Sequence, residues 1–239
     1  MKLLFVIVSF LNIVSLPGFE LTRRYFINTH AIATPFFAYS QTIPYMDDNN
    51  EENTLFSVAD NNISLYGKIT EQSCFQLGML LRKTEMELIT QIDKEEPKEL
   101  TKELPKEVPR INLHLQSYGG TLMPAFYICD LIQSMRFPVD TYIDGYVASA
   151  ASIISVCGER RYMTKNSMLM IHQLSGGTSG KFDEMQDDLQ NSQTMMNLLQ
   201  NIYINNTKID SDMLKKYLQK DIWWNSSTCL NLGLIDEII

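Results

Sequence analysis

From Ile63 to the C-terminus, short apolar runs of strand character alternate with longer runs of helical period. Strands separated by helices pair in parallel through crossover connections, so the pattern predicts an α/β domain. The segment 63–69, ISLYGKI, reads as a strand, and Thr70 is placed to cap a helix reaching to about Ile92 on Phe75, Leu77, Leu80, Leu81 and Leu88. Ile111–Leu115 alternates apolar with polar residues, and Ser117-Tyr118-Gly119-Gly120 then turns the chain into a helix over about 122–135 that tolerates Pro124 in its first turn. Next come a strand Val139–Ile143, a turn at Asp144-Gly145, a helix through Ser149–Cys157, a short strand near Tyr162 and a strand Met168–His172. A long helix from Phe182 to about Asn205 and a short helix before GLIDEII complete the pattern. The long helix carries more apolar residues than one face requires, for which a buried core helix is the plainest of the readings left open.

The chain has 239 residues, 45% of them hydrophobic and 20% charged, which excludes disordered, collagen-like and disulfide-dense classes. That length suits one domain with a leader and an insert. Residues 1–18 have signal-peptide format: one Lys, an apolar run from Leu3 to Leu16, then a Pro-Gly break. The run is shorter than the ~20 residues of a spanning helix, so a processed leader is expected rather than a stable membrane anchor. Residues 19–45 hold only Glu20, Arg23 and Arg24 as charges and look like a transit segment. Together they resemble the two-part leaders of proteins sent into plastids bounded by extra membranes, with a simple secretory signal as the alternative. Without a plastid signal, a cytoplasmic or mitochondrial-matrix location follows. Residues 94–110 repeat Lys-Glu every four residues, but Pro97, Pro105 and Pro109 remove donors from any helix there, so a solvated surface insert is expected. Residues 46–239 then form the functional domain.

A formal charge of −8 repels phosphate backbones and argues against nucleic acid as the main partner. Cys74, Cys129, Cys157 and Cys229 contain no C-x-x-C pair, so neither a metal site nor a disulfide framework is indicated, and each is expected as a buried apolar residue. Of the three histidines, His30 falls in the leader and His114 sits mid-strand. His172 ends the apolar strand MLMIH before a Ser175-Gly176-Gly177 loop, where a rigid scaffold can present an imidazole, although a plain hydrogen-bonded surface histidine fits as well. Ser149 follows the Gly145 turn and opens an apolar helix among small residues. Such neighbours admit a substrate backbone beside a nucleophile, while close packing of a buried helix would select the same residues. Gly119-Gly120 adds amides that side chains do not shield and that can face an oxyanion.

Taken in order, LQSYGG (115–120), GYVASAAS (145–152), KNSMLMIHQ (165–173) and KDIWW with GLID (220–224, 233–236) resemble the ClpP family, the proteolytic subunits of the Clp protease, from about residue 63 to the end. The resemblance implies the ClpP/crotonase-like fold of repeated β-β-α units with a long protruding helix. It implies Ser149 as nucleophile, His172 as general base and Asp221 as the buried carboxylate that orients the imidazole, with the Gly120 and Ala150 amides as oxyanion hole. Asp212 and Ser152 are the competing acid and nucleophile; the register to Gly233 favours Asp221, and the Gly-x-x-Ala-Ser register favours Ser149. Gly119, Gly120, Thr121, Leu122, Leu174, Ser175 and Gly176 would line the substrate groove, with loop 174–180 pairing to a peptide as an added strand.

The activity so implied is a serine endopeptidase that cuts unfolded polypeptides inside a double heptameric ring, homomeric or mixed, which the long helix interlocks. An AAA+ unfoldase would feed it. No G-x-x-x-x-G-K-S/T motif occurs, so no cofactor is expected and ATP would be used by that partner. The alternatives are an inactive structural ring subunit and a crotonase-like acyl-CoA enzyme. The sequence departs from the family pattern at Tyr118 and Leu174, where proline is usual, at Ala150-Ala151, where Met-Gly is frequent, and in the insert.

Overall fold

In the computed structural model, which describes residues 54–94 and 108–239, the alternating segments fold into a mixed α/β unit. Among the described residues the strands are β1 (Leu55–Ala59), β2 (Asn62–Tyr66), β3 (Ile111–Ser117), β4 (Val139–Ala148), β5 (Arg161–Met163), β6 (Met168–Met170), β7 (Trp223–Asn225) and β8 (Glu237–Ile238). The helices are α1 (Glu71–Lys94), α2 (Leu122–Ser134), α3 (Ala150–Ser155), α4 (Phe182–Asn206), α5 (Ser211–Leu218) and α6 (Ser226–Leu232). The leader (1–18), the transit-like segment (19–45), His30 and residues 95–107 of the insert lie outside the described residues. None of the described helices is long and apolar enough to cross a membrane.

One sheet runs in the order β1-β2-β3-β4-β5-β8, with β6 on β4 and β7 on β6. From β2 to β8 along that path every pairing is parallel, as crossover connections demand, and only β1 on β2 and β7 on β6 are antiparallel. The expected α/β class is the one adopted. Ile63, Leu65, Ile111, Leu113, Leu115, Ile143 and Val147 point to one face of the sheet and are at most 1% exposed, because α1, α2 and α3 cover them. The intervening residues of β3 and β4, among them His114, Tyr142 and Tyr146, show on the other, half-exposed face.

α1 starts as anticipated. Ser73 N–H donates to Thr70 Oγ1 at 3.0 Å while Thr70 N–H donates to Ser73 Oγ at 2.9 Å, so each satisfies an amide the helix leaves orphaned. Three expectations need correction. Asp144-Gly145 is not a turn: β4 runs on to Ala148, and Gly145, at φ +89, absorbs a kink where the register with β3 shifts between Leu115 and Ser117. At that kink β4 exchanges partners, pairing with β5 before it and β6 after it. Second, of the two readings of the long helix, the core one fails and the protruding one implied by the family resemblance fits: only Leu199 and Tyr203 on α4 are buried, while Phe182 and Leu189 are 68% and 72% exposed. At about 1.5 Å per residue its 25 residues extend roughly 37 Å, and it packs on the short helices α3 and α5, which cover only part of that length. Third, two short helices rather than one precede the C-terminus. Asp210 caps α5 by accepting from Asp212 and Met213 N–H, Asn225 caps α6 by accepting from Thr228 N–H, and Gly233 ends α6 at φ +69.

Candidate active site

Ser149 lies at the elbow between β4 and α3, with φ 55 and ψ −129, a conformation that L-residues other than glycine seldom adopt. Its N–H is tied to Met170 carbonyl on β6 at 3.1 Å, and the small residues Ala148 and Ala150 on either side are buried. The elbow lifts the hydroxyl off the end of the strand, and Ser149 Oγ stands 2.7 Å from His172 Nε2. His172 itself sits two residues beyond β6 rather than within it. Gln173 N–H donates to Leu218 carbonyl at 2.8 Å, which brings the end of α5 beside the imidazole. From the segment after α5, Asp221 Oδ1 reaches to 3.4 Å from His172 Nδ1. That is ion-pair contact, longer than an ordinary hydrogen bond. The Asp221 side chain is 77% exposed, unlike the buried carboxylate that was expected: among the described residues nothing covers it from outside.

The glycine turn approaches the same elbow from β3. A Cβ on Gly119, at φ +95, would stand 2.6 Å from Ser149 Cβ, and one on Gly120, at φ +150, would stand 2.0 Å from Ile69 carbonyl. Both positions therefore exclude a side chain. Gly119 N–H donates to Ser117 Oγ and Thr121 N–H to Ile69 carbonyl, so the Gly120 amide between them is left without a partner among the described residues. Ala150 is the first residue of α3, where an amide has no intrahelical acceptor.

Between the turn, the elbow and α4 opens a cleft of about 280 Å³. Of the residues expected to line a groove, Gly120, Thr121, Leu122, Leu174 and Ser175 do so, whereas Gly119 packs behind Ser149 and Gly176 stands clear of other atoms. The floor also uses Met123, Ile153, Met195 and Leu199, which the sequence reading did not single out for the site. Met195 and Leu199 are one helical turn apart, a spacing that signals only an apolar face.

The competing groups are occupied elsewhere. Ser152 is fully buried; its hydroxyl donates to Ser149 carbonyl at 2.6 Å and accepts from Tyr203 at 2.7 Å. Asp212 is in the first turn of α5, where its N–H is taken by the Asp210 cap. His114 pairs with Asp144 Oδ2 at 2.8 Å on the half-exposed face and stacks on Tyr142. Burial alone would raise the Asp144 carboxyl, but hydrogen bonds from His114 and Tyr66 outweigh it and hold it below its ordinary value. All four cysteines are free and buried, as expected, and burial pushes the Cys74 and Cys229 thiols up to about 12, so they stay protonated and unreactive. Among the described residues no cluster of His, Cys, Asp or Glu could hold a metal ion.

Compared with known protein families, residues 69–239 match the Clp protease model. The chain belongs to the Clp protease family. The match covers most of the chain, starts at the strand-like residue before α1 and includes every segment that builds the elbow, the glycine turn and the cleft. Membership makes the chain a peptidase of Clp type in general terms, a class that works as an oligomer with a Clp ATPase.

Proposed function

We propose that the chain is a serine endopeptidase subunit in which Ser149 is the nucleophile, His172 the general base and Asp221 the carboxylate that orients it. The observation that carries this reading is the 2.7 Å separation of Ser149 Oγ and His172 Nε2 at a strained elbow. As Ser149 Oγ attacks the scissile carbonyl, His172 takes its proton and later gives it to the leaving amine; water then releases the acyl group by the same steps. Asp221 keeps the Nδ1 proton facing itself, which leaves Nε2 as the basic nitrogen. The amides of Gly120 and Ala150 receive the oxyanion, each worth about 3–4 kcal/mol of barrier.

The cleft floor of Ile153, Met195 and Leu199 suits apolar side chains next to the cut bond. Residues 175–179 make no backbone–backbone hydrogen bond among the described residues, so an extended peptide can add there as a strand, bound through its backbone and with little demand on sequence. Unfolded polypeptide is then the substrate, in a chamber of two stacked heptameric rings served by an AAA+ unfoldase. The rings are interlocked by the exposed half of α4, and this chain needs no cofactor of its own. The leader delivers it to the plastid stroma.

Hydrolysis of a short fluorogenic peptide with an apolar residue before the cut, by the assembled protein, tests the reading. Ser149→Ala should lower kcat about 10⁶-fold and Asp221→Asn about 10⁴-fold. Retained hydrolysis in Ser149→Ala would reject the nucleophile, and an unchanged rate in Asp221→Asn would reject the orienting carboxylate.

A further inference from the structure

On the half-exposed sheet face, three aromatic rings stand together where the three segments that carry the candidate active site begin or end. Tyr118 directly precedes the Gly119-Gly120 turn, Tyr146 lies three residues before Ser149 on β4, and Trp223 opens β7 two residues after Asp221. The Tyr118 ring stacks on Tyr146 with centroids 4.2 Å apart and meets the edge of Trp223 at 6.1 Å and 90°. Core packing does not account for Tyr118, which is 69% exposed and replaces the proline usual at this place in the family.

Asp221 is the group most in need of such support. Its carboxylate accepts no side-chain hydrogen bond among the described residues, and its contact with His172 Nδ1 is 3.4 Å. The segment that carries it is held by Gln173 N–H on Leu218 carbonyl before it and by the Met170–Trp223 pairing of β6 with β7 after it. Two residues after Asp221, the Trp223 ring meets Tyr118, and the neighbouring Trp224 meets Tyr217 of α5 at 5.0 Å, so rings on both sides of the sheet edge hold the segment.

We propose that Tyr118, Tyr146 and Trp223 are positioning residues whose stack fixes the Asp221 segment so that its carboxylate stays on His172 Nδ1. This rests on the triad reading above. An aromatic pair of this kind adds stabilisation beyond the area it buries. The stack also ties the glycine turn to the same anchor, so one cluster sets the spacing of both sides of the cleft.

Steady-state kinetics of the assembled protein on a short peptide test this, with ring assembly and melting temperature checked for each variant. Tyr118→Ala and, independently, Trp223→Leu should lower kcat at least tenfold with KM within twofold, while Tyr118→Phe, which keeps the ring, restores kcat to within twofold. Among the described residues Asp221 is the charged group in ion-pair reach of His172. In an Asp221→Asn background Tyr118→Ala should add less than a twofold loss, because the two changes remove one interaction. An unchanged kcat in both ring variants, or an equal loss with Asp221 present and absent, would overturn the stack's role and leave the triad standing. An Asp221→Asn variant with full activity would overturn both.

Discussion

Ser149 holds a backbone conformation that costs about 1–3 kcal/mol, and its neighbours explain why it persists. The bond from its N–H to Met170, the buried alanines on either side and the close approach of Gly119 leave the elbow no room to relax. Gly119→Ala should therefore act on both stability and chemistry: the added methyl meets Ser149 Cβ and Ala148 carbonyl while forcing φ +95 on an L-residue. Thermal melts should show a loss of at least about 1 kcal/mol, and peptide hydrolysis should fall at least 10²-fold. A Gly119→Ala protein with wild-type melting and turnover would show that the turn does not press on the elbow. Strand ends and small-residue elbows leave local marks, which made His172 and Ser149 candidates in the sequence, but the same marks suit a surface histidine and a packed helix, and it was family resemblance that singled the two out. Asp221 was not legible locally, since carboxylates abound in an acidic chain and its meeting with His172 depends on where α5 ends. Its proposed role came through family resemblance, and its exposure was not foreseen at all.

α4 is the element whose pattern was most ambiguous. Its apolar residues alone allow a core helix and only the family resemblance implies a protruding one; Leu189 is 72% exposed while Leu199, ten residues on, is 4% exposed. Periodicity reports that a face is apolar and not what covers it. Leu199→Ala should cost about 2–5 kcal/mol in urea unfolding of the subunit. Leu189→Ala should stay within about 0.5 kcal/mol in the same experiment, as surface changes do. In the double-ring reading, Leu189→Ala should nonetheless weaken ring pairing in sedimentation velocity; undiminished pairing would take that residue out of the interface. The kink in β4 escaped detection for a related reason. Asp-Gly ordinarily signals a hairpin, and only the change of partner from β5 to β6 makes a continuing strand with one left-handed glycine the better solution.

At the scale of the whole molecule, the alternation of strands and helices carried the α/β class, but short strands such as β7 and β8 owe their existence to long-range pairing and not to their own sequence. The C-terminal GLID motif shows this. Gly233 ends α6 in a left-handed turn, Leu234 and Ile235 are buried, and Asp236 grips Arg161 through Nε and Nη2 at 2.9 and 2.7 Å, which seats β8 on β5. The Arg161 guanidinium holds the Asp236 carboxyl below its ordinary value. A depressed carboxylate stabilises the fold above the unfolded value of about 4 and ceases to do so as pH falls through the lower folded value. Asp236→Asn should accordingly lower the melting temperature at pH 7 by a few degrees, for a partly exposed pair of about 1 kcal/mol or less, and the gap from wild type should close below pH 4. A gap that persists at acid pH would assign the effect to packing and not to charge. The central claim is that one hydroxyl of this chain is the nucleophile, and the most direct measurement is fluorophosphonate labelling of the assembled protein followed by mass mapping of the modified peptide. The adduct should sit on Ser149, survive Ser152→Ala and vanish in both Ser149→Ala and His172→Ala; an adduct on another residue, or one that persists in Ser149→Ala, would contradict the account.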